Sequence, residues 1–359
     1  MRLEFYAGLD DARYNRGMRR RTRLCLVIAV LLLLVGCGAY TAFWFVVADK
    51  LEEGLTEWAQ SARAQKLDLS WRALRVGGFP LAFHIELDDA ALREDAITPP
   101  AELHVPLLSG STRPWNFRAW WLTAPGGLRV AAGPAAEPVA KLTARAASGA
   151  VVVAGEGGAT IWLGLEEARA EAGEQIGART ADFWLILPPH PPEMHTERYV
   201  ALAVDLRGVD LPQVPAPFHN PVDEIAFAID VKGAIPVAPP RQAAAAWRDS
   251  GGTVELDRLA LRWSRIAITG SGTLALDRDL QPIGGFSGAV EGYEDLMAAL
   301  VAAGRMRPGD ARLARVALAM LAKAGPEGRP QIATSFTIQN GEMFLGPAKL
   351  GPAPKIVWE

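Results

Sequence analysis

Residues 81–89 read "LAFHIELDD". Leu81, Phe83, Ile85 and Leu87 alternate with Ala82, His84, Glu86 and Asp88. Side chains two apart share a face of a strand, so this run predicts a strand with one buried face and one solvated face. Further along the chain the same period recurs at Leu103, Val105 and Leu107, and at Trp115, Phe117, Ala119 and Trp121. It returns at Ile161, Leu163 and Leu165, at Phe183, Leu185 and Leu187, and at Leu202, Val204 and Leu206. Ile225, Phe227, Ile229 and Val231 follow, then Leu259, Leu261 and Trp263, then Leu274 and Leu276, and finally Phe336 and Ile338. Gly- and Pro-containing connections between many of these runs are too short for crossover helices, which makes the pairing antiparallel. The expected fold class is mainly β with some α: large antiparallel, curved sheets with a few covering helices.

The period is different ahead of residue 67. From Leu24 to Ala48 no residue is charged. At about 1.5 Å per residue that stretch spans about 37 Å as a helix, enough for a hydrocarbon core of about 30 Å with some tilt. Leu24, Leu34, Phe43 and Trp44 are the expected anchor residues, with Tyr40, Phe43 and Trp44 near the interface. Residues 1–23 carry seven arginines against Glu4, Asp10 and Asp11, so this head is +4 and, given a net charge of −3, the rest of the chain is −7. Basic residues stay on the cytoplasmic side, which sends the chain after Asp49 across the membrane. The expected location is therefore the inner membrane, single-pass, with the C-terminal part periplasmic. A nucleic-acid partner is not expected, because the folded part is acidic.

Leu34-Val35-Gly36-Cys37 has the form of a lipobox, which would make Cys37 an acylated N-terminus after cleavage. The residues that follow oppose this reading. Gly38 to Ala48 carry no charge and include Phe43, Trp44, Phe45, Val46 and Val47. Exposing those side chains to water as a tether costs roughly 1.5–3 kcal/mol each. The expectation is an uncleaved anchor. Met18 opens a compact charged head of its own and is a second candidate start.

The expected plan is a basic head (1–23), the anchor (24–48), a helical stem (49–66), a β-rich first half (67–215) and a β-rich second half (216–359). In the stem Leu51, Leu55, Trp58 and Ala62 recur at helical spacing. Residues 241–249 read as a short helix. A helical pair is expected within 291–325, with Tyr293, Leu296, Leu300 and Ala303 on one stripe. Asp310 is expected to cap a second helix that turns Leu313, Val316, Met320 and Leu321 inward.

Four segments together resemble the domain of unknown function 2125 family, whose members are anchored in the inner membrane of Gram-negative bacteria. They are "YTAFWFVVADKLEEGLTEW", "LRVGGFPLAFHIELDDAALR", "LALRWSRIAITGSGTLALDRDLQPIGGFSGAVEGYEDLMAALVAAG" and "FTIQNGEMFLGPAKLGPAP". The resemblance spans roughly residues 40 to 355. It implies an envelope location and a β-rich exported domain, and it supplies no activity and no catalytic residues. The "GTLALD" strand followed by a Gly-rich strand is also similar to AsmA-like envelope proteins, which are linked to lipid handling and outer-membrane assembly.

The residues offer little catalytic chemistry, and no enzyme, cofactor or metal site is expected. Cys25 and Cys37 are the two cysteines and both lie in the apolar segment, so no disulfide or cysteine-ligated zinc belongs to the exported part. "HPPEMH" sets His190, Glu193 and His195 close together, but Pro191 and Pro192 forbid the helix that a zinc-peptidase motif needs. His84 and His104 fall on the polar phase of strands. "GGFSGA" lacks the second glycine of a nucleophile elbow after Ser287. Asp88-Asp89 and Glu166-Glu167 read as strand-end turns and solvated faces, and "GGFP" (77–80) as a turn that ends a ladder at Pro80. Trp115, Phe117 and Trp121 on one phase and Trp120 on the other form the candidate groove or interface, since tryptophan pairs an apolar body with a polar N–H. The expected function is to bind lipid or another hydrophobic ligand in a β groove; the alternative is a scaffold that binds other envelope proteins.

Overall fold

The computed structural model describes residues 7–358 except 65, 135, 215–217, 303, 305, 326–328 and 347. Side chains are described from residue 26 onward, those of 317, 321, 348 and 350 excepted. One helix, α1 (Ala7–Arg63), runs unbroken through anchor and stem. Then come β1 (Leu67–Ser70), β2 (Ala73–Gly77), β3 (Phe83–Glu94), β4 (Ala101–Arg113), β5 (Asn116–Ala124), β6 (Leu128–Ala132), β7 (Ala140–Ala144) and β8 (Ala146–Val153). β9 (Ala159–Ala172), β10 (Glu174–Leu187), β11 (Arg198–Asp210) and β12 (Val222–Lys232) lead to α2 (Pro240–Asp249). β13 (Thr253–Trp263), β14 (Ile266–Leu276) and β15 (Pro282–Glu291) precede α3 (Tyr293–Ala302) and α4 (Pro308–Leu321). The chain ends with β16 (Lys323–Ala324), β17 (Pro330–Gln339), β18 (Glu342–Leu345) and β19 (Ala348–Pro352).

All 19 strands join one hydrogen-bonded sheet, and every pairing among the described residues is antiparallel. The fold is therefore mainly antiparallel β with an N-terminal apolar helix, as the period-2 runs implied. From β8 to β15 each strand pairs with the next in sequence, because each connection is a hairpin or a short excursion. Between β4 and β9 the sheet is split. β5 and β8 fill one half of that gap, and β6 and β7 fill the other. The sheet continues from β11 to β12, and the expected boundary between the halves, at residues 215 and 216, lies outside the described residues.

α1 packs its lower part along β1 and β2. Trp44, Ala48, Ala59 and Ala62 are buried there, with Leu51 and Leu55 half-buried between them. Trp58, expected on this stripe, is 49% exposed and Ala59 takes its place. The reason is the continuity of the helix: Trp44 stacks on Phe83 and sets the phase for everything below it.

α4 reverses a second expectation. Leu313, Val316 and Met320 are 74%, 62% and 83% exposed, while Ala311 is buried and Ala314 and Leu318 are half-buried. The inward stripe is therefore Ala311, Ala314 and Leu318. Its two small side chains let the helix come close to α3 and β17, and the expected stripe faces out. Arg307, not Asp310, is the N-cap, because Pro308 fixes the first helical position. In α3 the buried residues are Tyr293, Met297 and Ala299; Ala303 and the Leu321 side chain lie outside the described residues.

Candidate functional site: an open apolar sheet face

Directly paired residues of an antiparallel ladder point to the same side, so register alone traces a face. One row runs Trp120–Val151–Ile161–Leu185–Leu202–Ile229–Leu256–Gly272–Phe286–Phe336–Leu345, each residue opposite the next. It crosses from β5 to β18 without a charged side chain, a distance of about 50 Å at about 4.8 Å per strand. The row beside it contains Leu122, Leu163, Phe183, Val204, Phe227 and Leu259. The irregularity between Leu256 and Leu259 absorbs Asp257 and Arg258 and keeps both leucines on this face.

The opposite face carries ion pairs beside uncharged positions such as Trp162, Trp184 and Ala203. Asp205 pairs with Arg207, and Glu224 with Arg258 and Arg262. Arg198 grips buried Asp230 through two bonds of 3.0 and 2.8 Å, and this carboxylate raises the guanidinium above its ordinary pKa. A hollow of about 660 Å³ on this side is lined by the same paired charges.

Among the described residues nothing covers the apolar row fully. Each residue in it, from Trp120 to Phe336, is half-buried, and Leu345 is 42% exposed. Under a second layer these would be fully buried. The surface area gives the same result. The chain exposes 23746 Å², whereas a compact protein of 38.5 kDa exposes about 14,000 Å². The bare anchor helix and the half-exposed sheet face both add to that excess.

The face is closed at its margins. Nearer one set of strand ends Val105, Ala124, Ala147, Leu165 and Ala181 form a buried core. At the other, α2 and the C-terminal tail lie over Val231, Val254 and Leu276. Trp247 Nε1–H donates to Lys232 O at 2.7 Å and Trp358 Nε1–H to Leu280 O at 2.9 Å, which pins both covers. Beneath them is a cleft of about 410 Å³. A second cleft, of about 360 Å³, lies along the row between Leu256, Leu259, Ile268, Phe286, Phe336 and Leu345. Gly270 and Gly288 face each other in its floor. A Cβ at Gly272 would stand 2.3 Å from Phe286 Cδ1, so the glycine lets that ring lie flat across the next strand.

The tryptophan cluster divides between the two faces. Trp120, on the other phase from Trp115, Phe117 and Trp121, belongs to the apolar row, and its Nε1–H donates to Phe117 O at 3.0 Å. Trp121 is 57% and Trp115 65% exposed. Phe117 packs on Phe83, ring centres 5.5 Å apart, and Phe83 stacks on Trp44 at 5.0 Å. Phe83 is fully buried and ties the sheet to the anchor. Leu24 falls within α1; Leu34 and Phe43 point away from the protein, and Trp44 points into it.

The polar candidates are scattered. His104 Nε2 meets Asp89 at 2.8 Å, and His190 faces Glu156 at 3.7 Å. Asp88-Asp89 and Glu166-Glu167 lie within β3 and β9 and not at strand ends; Asp89, Glu166 and Glu167 are exposed, as a solvated face requires. Asp89 and Glu167 have positive φ, which bends those strands locally. Glu193 in "HPPEMH" donates its backbone N–H to Glu197, which holds the loop. Among the described residues no three His, Cys, Asp or Glu side chains are placed to hold a metal ion.

The sequence pattern missed Phe83 as the junction residue and the floor glycines. "GGFP" before Phe83 and the period-2 glycines of "GSG" and "GGFSG" are the signals that mark them.

These features define a class: a single antiparallel sheet with an uncovered apolar face, carried on a helix long and apolar enough to cross a membrane. Residues 44–354 match the model of the family described as "uncharacterized protein conserved in bacteria (DUF2125)", and the chain belongs to that family. No curated protein and no solved structure matches it. The likeness to AsmA-like proteins has no support among these comparisons.

Proposed function

We propose that this protein holds the acyl chains of a lipid, or a hydrophobic ligand of similar shape, against the apolar face of its sheet. The observation that carries this reading is the uncharged row from Trp120 to Leu345, half-buried along its length. Water on such a face costs about 25 cal/mol per Å², and an acyl chain removes it without needing a polar partner. The arginine-rich head and the apolar helix favour an inner-membrane anchor with the sheet on the periplasmic side. The role is binding, not catalysis, and the ligand is drawn from the bilayer.

The test is mass spectrometry of lipids that co-purify with the full-length protein, with uptake of a fluorescent fatty acid measured in parallel. Bound lipid in stoichiometric amounts is expected. Absence of both signals overturns the reading and leaves the apolar face to a protein partner.

A further inference from the structure

We propose that turn 78–82 and the tip of the β4–β5 hairpin form a second membrane contact, seated in the acyl–headgroup boundary beside the anchor. The inference rests on α1 crossing the bilayer and is independent of any ligand on the sheet.

The turn is fixed to a known height on the helix. The Tyr40 hydroxyl donates to Pro80 O, and Trp44 Nε1–H donates to Ala82 O at 3.1 Å. Phe79 stacks on Phe45 at 5.8 Å and meets Trp44 edge-on at 5.5 Å. Tyr40 lies nine residues before Asp49, the first charge after the apolar segment. That is about 13 Å along the helix axis. A hydrocarbon core of about 30 Å takes up about 20 residues. If the core starts at Leu24 it reaches Phe43, and if it is centred on the apolar segment it reaches further. Tyr40, and with it Pro80, lies inside in both placements.

Four of the turn's backbone polar groups are satisfied within the protein at that depth. Backbone in lipid must have its polar groups satisfied within the protein. Pro80 has no N–H, and its carbonyl is taken by Tyr40. Ala82 N–H donates to Gly78 O at 3.0 Å, and Ala82 O accepts from Trp44. Gly78 has φ +99, and a Cβ there would stand 2.7 Å from Ala82 O, so glycine is required. The side chains presented outward are Phe79, 46% exposed, and Leu81, 68% exposed. Trp115 continues the apolar surface from the hairpin tip, which Phe117 holds against Phe83. Exposed Arg113 and Arg118 flank the tip, at reach for lipid phosphates.

The experiment is site-directed spin labelling of the full chain in phosphatidylcholine–phosphatidylglycerol nanodiscs, on a Cys25→Ser, Cys37→Ser background. Labels go at Leu81→Cys, at Val35→Cys within the anchor, and at Val139→Cys on a remote exposed loop. Collision of each label with oxygen and with a water-soluble nickel chelate is measured. The expected oxygen-to-nickel ratio is above one at positions 81 and 35 and below one at 139. A ratio at 81 equal to that at 139, with 35 still oxygen-accessible, overturns the second contact and leaves the anchor standing. Nickel accessibility at both 35 and 81 overturns both. Quenching by brominated lipid gives a readout without cysteine variants: Trp115→Tyr should remove part of the quenched emission, and no loss counts against the hairpin contact.

Discussion

Replacing Leu259 with glutamate puts a carboxylate in the middle of the proposed binding face. Leu259 is 37% exposed, and that fraction is what a ligand can cover. Full burial of a leucine side chain stabilises by about 1.5–3 kcal/mol, so the lost contact is worth about 0.5–1 kcal/mol. Leu259→Ala should therefore weaken lipid capture only about two- to fivefold. Glutamate adds the cost of drying a charge beneath an acyl chain, several kcal/mol if complete and less here because the carboxylate can swing toward the rim. A total of about 2–3 kcal/mol corresponds to about 30- to 150-fold. The assay is photo-crosslinking of a diazirine-bearing acyl lipid to full-length protein at limiting probe. Ser335→Glu, on the opposite face and exposed, is the control and should leave the yield unchanged. Equal yields for Leu259→Glu and wild type would refute the reasoning, as would an equal loss for Ser335→Glu. The first outcome would show that the ligand avoids this face, the second that added charge acts globally.

Other perturbations test the framework around that face. Phe83→Ala removes a fully buried ring stacked on Trp44 and should cost about 3–5 kcal/mol, seen as earlier urea unfolding and as faster protease cleavage between stem and sheet; an unchanged midpoint would mean the stem does not dock. Asp230→Ala leaves the Arg198 fork without its carboxylate. Arg198 is 43% exposed and can rehydrate, so about 1–3 kcal/mol is expected instead of the larger loss of a fully buried pair, read as a lower urea midpoint with unchanged slope. Cys37 is an exposed thiol in an unbroken helix, and Cys37→Ser should stay in the membrane fraction while wild type takes up no palmitate label. A palmitate label on the wild type that this substitution abolishes would instead establish acylation at the lipobox.

The loop between Leu187 and Arg198 shows how a local motif and its surroundings differ in what they say. Its two histidines and a glutamate are metal-ligand types, but Pro191 and Pro192 deny them the helix of a zinc-peptidase motif. The structure adds that Glu197, which no motif included, accepts from both the Glu193 and Met194 backbone N–H groups. The helical pair shows the opposite limit. Its existence and approximate span were legible in the spacing, but the inward face was not. Large apolar residues at positions 313, 316 and 320 mark one stripe by hydropathy, yet Ala311, Ala314 and Leu318 turn inward. Close approach to α3 and β17 favours the stripe that begins with two alanines, and distance won over hydropathy.

What the sequence determined by itself was the period of each segment. A charge-free run of helix length, alternation over the strands and short connections are local facts, and they suffice for an anchored antiparallel sheet. Alternation also names which residues share a face, since that follows from strand geometry alone. It does not say which phase of a strand faces which phase of its neighbour, or whether anything lies on top. Trp120 rather than Trp121 joins the apolar row because the register of β5 against β8 puts Trp120 opposite Val151. Ala59 rather than Trp58 meets the sheet because contacts fifteen residues upstream, at Trp44, fix the helix phase. How far the face is covered depends on where segments outside the strands come to rest, as α2 and the C-terminal tail do over Val231, Val254 and Leu276. Only the tertiary structure holds that information, because burial is a property of what arrives from elsewhere.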